Sequence, residues 1–115
     1  MEEWGKDALD LELNELEFAI DQAVTIHYIF SNKVRAKMLS EIIKSTDRRF
    51  SELMNIIKVN QKIISENLKY MVENGLIKRV EKKPSEVHYI PSDIGFAGML
   101  TCIMMRRILN ELDEE

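Results

Sequence analysis

The sequence predicts a mainly α fold with a small β-hairpin, and three observations carry that prediction. Two stretches near the ends, 8–30 and 92–112, repeat apolar residues every three or four positions, the period of one helix face. Between them, a short apolar run and a longer amphipathic run are separated only by Lys58-Val59-Asn60, and the longer run stops at Gly75. Two β-prone runs, Leu76 to Glu81 and Val87 to Ile90, then flank Lys82-Lys83-Pro84-Ser85-Glu86, a turn with proline inside it. The order at 33–90 is helix, turn, helix and wing, bracketed by two long terminal helices.

The first helix, over 8–30, carries Leu9, Leu13, Leu16, Ile20, Ala23, His27 and Phe30 on one seam, with Leu11, Ile26 and Tyr28 off it. Apolar residues on more than one face suggest that the helix meets a partner chain as well as its own core. A helix buried wholly in its own core is the simpler alternative. Ser31-Asn32 supplies an N-cap for a second helix with Val34, Met38, Leu39, Ile42 and Ile43 inside and Lys33, Arg35, Lys37 and Lys44 outside. After Ser45-Thr46-Asp47, Arg48 to Phe50 leads into Ser51, read as the cap of a short third helix from Glu52 to Ile57.

Asn60 caps the fourth helix, Gln61 to Asn74, and Gly75 is placed to take the left-handed position after it. Ile64, Leu68, Met71 and Val72 fall on one face, with Lys62, Glu66, Lys69 and Glu73 opposite and Gln61 and Ser65 alongside. A polar face beginning at a helix N-terminus suits major-groove reading, and it is also what a solvated helix shows. Ser92 caps the last helix, whose seam is Ile94, Ala97, Thr101, Met104, Ile108 and Leu112, with Leu100, Ile103, Met105 and Leu109 beside it. Gly95, Ala97 and Gly98 would admit another helix at close range.

A chain of 115 residues with 45% hydrophobic and 31% charged residues fits one soluble domain with a single core. No apolar run approaches the roughly 20 residues that span a bilayer, and the acidic start lacks a signal-peptide pattern, so a cytoplasmic protein is expected. One cysteine, Cys102, makes no internal disulfide, and two distant histidines give no metal-ligand cluster. No Gly-rich phosphate loop, nucleophile elbow or paired catalytic carboxylates point to an enzyme, and no cofactor is implied. The net charge of −4 hides an asymmetry. Residues 1–31 hold eight acids against one lysine, 32–83 hold thirteen bases against six acids, and 84–115 hold two bases against six acids. The centre is a basic module between acidic flanks, and only the centre need face a polyanion.

The runs Arg49-Phe50-Ser51-Glu52-Leu53, Asn60-x-Lys62-x-Ile64-Ser65-x-x-Leu68-Lys69-x-Met71-x-x-x-Gly75-Leu76-Ile77-x-Arg79 and Val87-x-Tyr89-x-Pro91-Ser92-x-x-Gly95 stand in order. Together they resemble the HxlR-type transcriptional regulators, a branch of the MarR-like winged-helix proteins, over about residues 33–100. The resemblance implies a homodimer joined through its terminal helices, with Leu9, Leu13, Leu16 and Ile20 on one helix and Ala97, Thr101, Met104 and Ile108 on the other. It implies a pseudo-palindromic operator in double-stranded DNA, with the second helix of the motif in the major groove and the wing near the backbone or minor groove. On that helix the implied contacts are Asn60, Gln61, Lys62, Ser65, Glu66 and Lys69, and on the wing they are Lys82 and Lys83. The sequence lacks the cysteine near the start that some members of that family use for sensing.

Several of these residues have a second reading. Glu66 accepts from a cytosine amine or pairs with Lys62 and Lys69, and the pairs are preferred without DNA. Arg79 reaches a phosphate or pairs with an acid on the helix above it. Arg48, Arg49, Lys33 and Arg35 flank the groove as second-rank candidates. His27 and His88 are read as structural, and Cys102 as a small buried hydrophobe. The leading function is a sequence-specific dimeric DNA-binding transcriptional regulator. The alternative is a winged-helix protein-interaction module that uses the same faces without sequence-specific DNA binding.

Overall fold

The computed structural model describes residues 16–114. The elements run α1 (Leu16–Phe30), α2 (Lys33–Ser45), β1 (Arg48–Arg49), α3 (Phe50–Ile56), α4 (Gln61–Glu73), β2 (Ile77–Lys83), β3 (Glu86–Pro91) and α5 (Asp93–Glu114). Of the predicted first helix, residues 8–15 lie outside the described residues, and Leu9 and Leu13 with them. Leu16 opens α1.

The core forms where α2, α3 and α4 cross and the sheet begins. Met38, Leu39 and Ile42 of α2, Leu53 of α3, Ile64, Leu68 and Met71 of α4, and Leu76 and Ile77 are all buried, joined by Ile29 from α1. The predicted inner faces of α2 and α4 are therefore the observed ones, with Val34, Ile43 and Val72 packed at the margin. The predicted caps of α2 and α4 also form. Asn32 Oδ1 accepts the Arg35 N–H at 3.1 Å and Asn60 Oδ1 accepts the Ile63 N–H at 2.9 Å, each satisfying a donor that the helix start leaves open. Gly75 has φ +73°, the left-handed conformation that ends α4 cheaply only with glycine.

The start of α5 is knotted to this glycine. Ser92 Oγ donates to the Gly75 carbonyl at 2.6 Å and accepts the Gly95 N–H at 3.0 Å. Gly95 lies so close to the Leu76 carbonyl that a Cβ there would stand 2.1 Å from its oxygen. At Gly98 a Cβ would stand 2.8 Å from Ile29 Cδ1. The close approach expected of the Gly95-to-Gly98 stretch thus takes place inside the chain, while Ala97 stays exposed.

Three further expectations are corrected. The wing is the larger part of a three-stranded antiparallel sheet in the order β1-β3-β2, because the extended Arg48–Arg49 pair fills the open side of β3, Arg48 opposite Tyr89 and Arg49 opposite His88. The third helix starts at Phe50, before Ser51, because the Glu52 carboxylate accepts the Arg49 N–H at 2.9 Å and makes Arg49 the capping position. The strands are longer than predicted: Lys82 and Lys83 belong to β2, the register shifts between Glu81 and Lys83, and the turn is confined to Pro84 and Ser85, the latter at φ +67°.

Candidate nucleic-acid interface

Burial of Ile64, Leu68 and Met71 turns the opposite side of α4 outward, because residues three and four apart share a face. Gln61, Lys62, Ser65, Glu66 and Lys69 are accordingly exposed on one surface, with Asn60 at its N-terminal end. Asn60 spends its side-chain oxygen on the cap. Lys62 Nζ lies 3.9 Å from Glu66 Oε1, the pairing expected without DNA, and both side chains are mostly exposed. A pair in water is worth little and opens readily.

Across from α4, Arg79 projects from β2, where it stands opposite Tyr89. Lys69 and Arg79 line a cleft of about 350 Å³ between α4 and the sheet together with Phe50, Ser65, Leu68, Val72, Glu73 and Tyr89. Neither cation enters an ion pair among the described residues, and the acid proposed as an Arg79 partner does not pair with it.

The wing holds a charge cluster that the sequence reading missed. His88 Nδ1 lies 2.6 Å from Asp47 Oδ1, and Lys82 pairs with the other oxygen of the same carboxylate. The Lys82 contact above all, and then the His88 hydrogen bond, hold the Asp47 carboxyl below the usual aspartate range. On its other side His88 Nε2 is 3.3 Å from Glu86 Oε1, close enough to feel the charge but without hydrogen-bond geometry, and Glu86 also lies 3.9 Å from Arg49 Nη1. Lys82 is therefore engaged with Asp47, while Lys83, one residue on and opposite Glu86 in the register, is exposed. No spacing rule links Asp47 to His88, 41 positions away. The one sequence signal is a histidine inside a strand-like run, which needs a partner when half-buried.

The second-rank arginines are likewise drawn into the fold. Arg48 donates from Nε to the Glu41 carbonyl at 3.1 Å and pairs with the carboxylates of Glu41 at 3.3 Å and Glu52 at 3.5 Å. Arg35 bridges α1, α2 and α4. Neither faces the α4 outer surface as a free cation.

The apolar surplus expected on the terminal helices is present and uncovered. On α1 the buried Ile29 lies off the predicted seam, Phe30 on the seam packs against the core beside it, and Ile26 packs beside Gly98. Ile20, Ala23 and His27 on that seam are exposed, Ile20 at 49%. On α5 the inner side is Gly95, Gly98, Met99 and Cys102, so Ile94 (50%), Ala97, Thr101 and Met104 (61%) face outward, with Ile108 half-buried. Leu100, Ile103, Met105 and Leu109 extend the same apolar surface. Among the described residues no helix is long and apolar enough to cross a membrane, and no cluster of three or more His, Cys, Asp or Glu suits a metal ion.

A family model described as HxlR-like helix-turn-helix matches residues 29–113. No curated protein matches the chain. Among solved structures, the fold is similar to a regulator of the MarR family from Enterococcus faecalis, at 19% identity and TM-score 0.67 over 85% of this chain and 88% of that one. Reduced HlyU from Vibrio cholerae is similar at 20% identity and TM-score 0.64, covering 75% of this chain and 90% of its own. The homodimeric winged helix-turn-helix DNA-binding domain of Mb0332 from Mycobacterium bovis is similar at 16% identity and TM-score 0.64, over 78% and 83%. At such identities the likeness establishes the winged-helix fold.

Proposed function

The chain belongs to the HxlR-like helix-turn-helix family, whose members are transcriptional regulators and not enzymes, and from that premise we propose a sequence-specific homodimer that reads a pseudo-palindromic operator in double-stranded DNA. In this reading residues 1–115 work as one winged-helix domain in the cytoplasm. α4 enters the major groove and presents Asn60, Gln61, Lys62, Ser65, Glu66 and Lys69. Lys69 and Arg79 frame the strand that passes between helix and sheet, and Lys83 meets a phosphate beside the minor groove. Lys82 does so only after leaving Asp47.

The observation that carries the reading is a division of surface. The outward side of α4 is polar and hydrogen-bond capable, whereas the uncovered apolar residues concentrate on α1 and α5. A large apolar face in water seeks a partner, and a second copy supplies an identical one about a symmetry axis. Two copies then set two α4 helices toward successive major grooves, about 34 Å apart for half-sites one turn apart. That a fold neighbour is itself a homodimeric DNA-binding domain supports this arrangement.

Selection of bound sequences from random duplex DNA tests it. An enriched inverted repeat whose affinity falls steeply with salt is the expected result. No enrichment at low salt overturns it in favour of the protein-interaction reading, which the engagement of Arg48, Arg49 and Lys82 in ion pairs would then explain.

A further inference from the structure

Arg35 lies in the first turn of α2, yet its guanidinium reaches both neighbouring helices. Nη1 donates to the Tyr28 carbonyl, in the last turn of α1, at 2.6 Å. Nε donates to Asn67 Oδ1, in the middle of α4, at 3.2 Å. The guanidinium also lies on the Tyr70 ring, with Cζ 3.8 Å from the centroid, and Tyr70 meets Tyr28 edge-on with centroids 6.3 Å apart. Asn67 is 7% exposed, and its amide nitrogen donates to the Ile63 carbonyl at 3.0 Å, which fixes its oxygen toward Arg35. A planar fork that stacks on a ring while donating in its own plane is something arginine does and lysine cannot copy.

The place of this cluster gives it meaning. α1 bears part of the apolar face by which two copies join, and α4 bears the surface that meets DNA. Apolar packing through Ile64, Leu68 and Met71 holds α4 to the core but has no preferred direction, whereas hydrogen bonds and a stacked guanidinium do. We propose that Arg35 is a positioning residue that fixes α4 against α1, sets the separation of the two recognition helices in the dimer, and so sets the half-site spacing the protein accepts. The inference rests on the homodimeric DNA-reading function proposed above. Sequence preference within a half-site belongs to the α4 side chains, and spacing between half-sites belongs to Arg35, Asn67, Tyr70 and Tyr28.

The two halves separate experimentally. Wild-type and Arg35→Lys proteins are each taken through selection from random duplex DNA. In parallel, spin labels at Glu73→Cys in a Cys102→Ser background report the distance between the two α4 helices of the dimer without DNA. The wild type should enrich one dominant spacing and give one narrow distance. Arg35→Lys should keep the half-site sequence, lose about tenfold in affinity at the original spacing, and accept spacings a base pair longer or shorter almost as well. Its distance distribution should broaden, and its affinity for non-specific DNA should hold, since the charge is kept. Tyr70→Leu, which removes the plate under the guanidinium, should show the same relaxation and serves if Arg35→Lys fails to fold. Folded variants with the wild-type spacing preference and distance overturn the inference. So does a uniform loss at every spacing, which marks a merely structural residue. A wild type that enriches no inverted repeat brings down the DNA reading and this inference with it, and is told apart because it shows before any variant is made.

Discussion

Asp47 and His88 meet at 2.6 Å across 41 residues of chain, and Lys82 closes on the same carboxylate from the other side. The junction between α2 and β1 is thereby fastened to the wing. Because contact with Lys82 and His88 lowers the Asp47 pKa, the stability it adds is present above the ordinary aspartate value of 3.8 and disappears as pH falls through the depressed one. Wild type should melt above Asp47→Asn at neutral pH, and the gap should close as the solution is taken below pH 3.8. Thermal melts of both proteins across that range check it, and a gap that persists at the acid end counts against the pairing.

The knot between Ser92, Gly75 and Gly95 makes a stability prediction. Ser92→Ala removes the cap of α5 and leaves the Gly75 carbonyl without its hydroxyl donor, costing about 1–2 kcal/mol in urea unfolding. Gly95→Ala drives a methyl into the Leu76 carbonyl and costs about 3 kcal/mol, at the upper end for overpacking. If alanine at position 95 is neutral, α5 does not sit as closely as described.

If two copies join through the apolar face as proposed, disrupting it should separate them without unfolding them. Ile20→Glu and Met104→Glu each put a charge on an exposed position, so circular dichroism should hold while sedimentation shows a shift from dimer to monomer. Operator affinity should fall by well over tenfold, since one module alone reads only half a site. A variant that stays dimeric would move the interface elsewhere.

Charge on the reading surface can be counted by salt dependence. Lys83→Gln should weaken all DNA sequences alike and reduce the logarithmic salt slope by about one. Lys82→Gln should change the slope less and stability more, because that ammonium is committed to Asp47. Lys62→Glu should lose affinity most, placing two acids side by side with Glu66 on α4. Equal slopes for Lys82→Gln and Lys83→Gln would show that the Asp47 pair opens freely on binding.

What was legible in the sequence is what local chemistry decides. Asn32, Asn60, Ser92 and Gly75 declare their helix ends because each satisfies an open backbone group or tolerates a special conformation within four residues of itself. The inner faces of α2 and α4 follow from period alone. Strand β1 did not show, because two residues carry no period and Arg48 and Arg49 pair only with a strand forty positions downstream. On the regular row of α1, Ile20, Ala23 and His27 face outward while Phe30 packs against the core, and the off-row Ile29 is buried, a division that period alone does not give. Lys82 and Arg35 look like free cations in the sequence, and their partners, Asp47, Tyr28 and Asn67, become neighbours only on folding.

The pairing of β1 with β3 makes the whole helix-turn-helix the content of a loop closed at Arg48 and Tyr89. Closing a loop of that length is entropically costly, and the cost is recovered only when α3 and α4 are already packed within it. The wing at His88 and Tyr89 therefore cannot fray as a free hairpin would. Around His88 and Tyr89, where β3 is flanked by β1 and β2, amides should exchange with solvent mainly in openings that also release the helices, whereas the outer edge of β2 exchanges on its own.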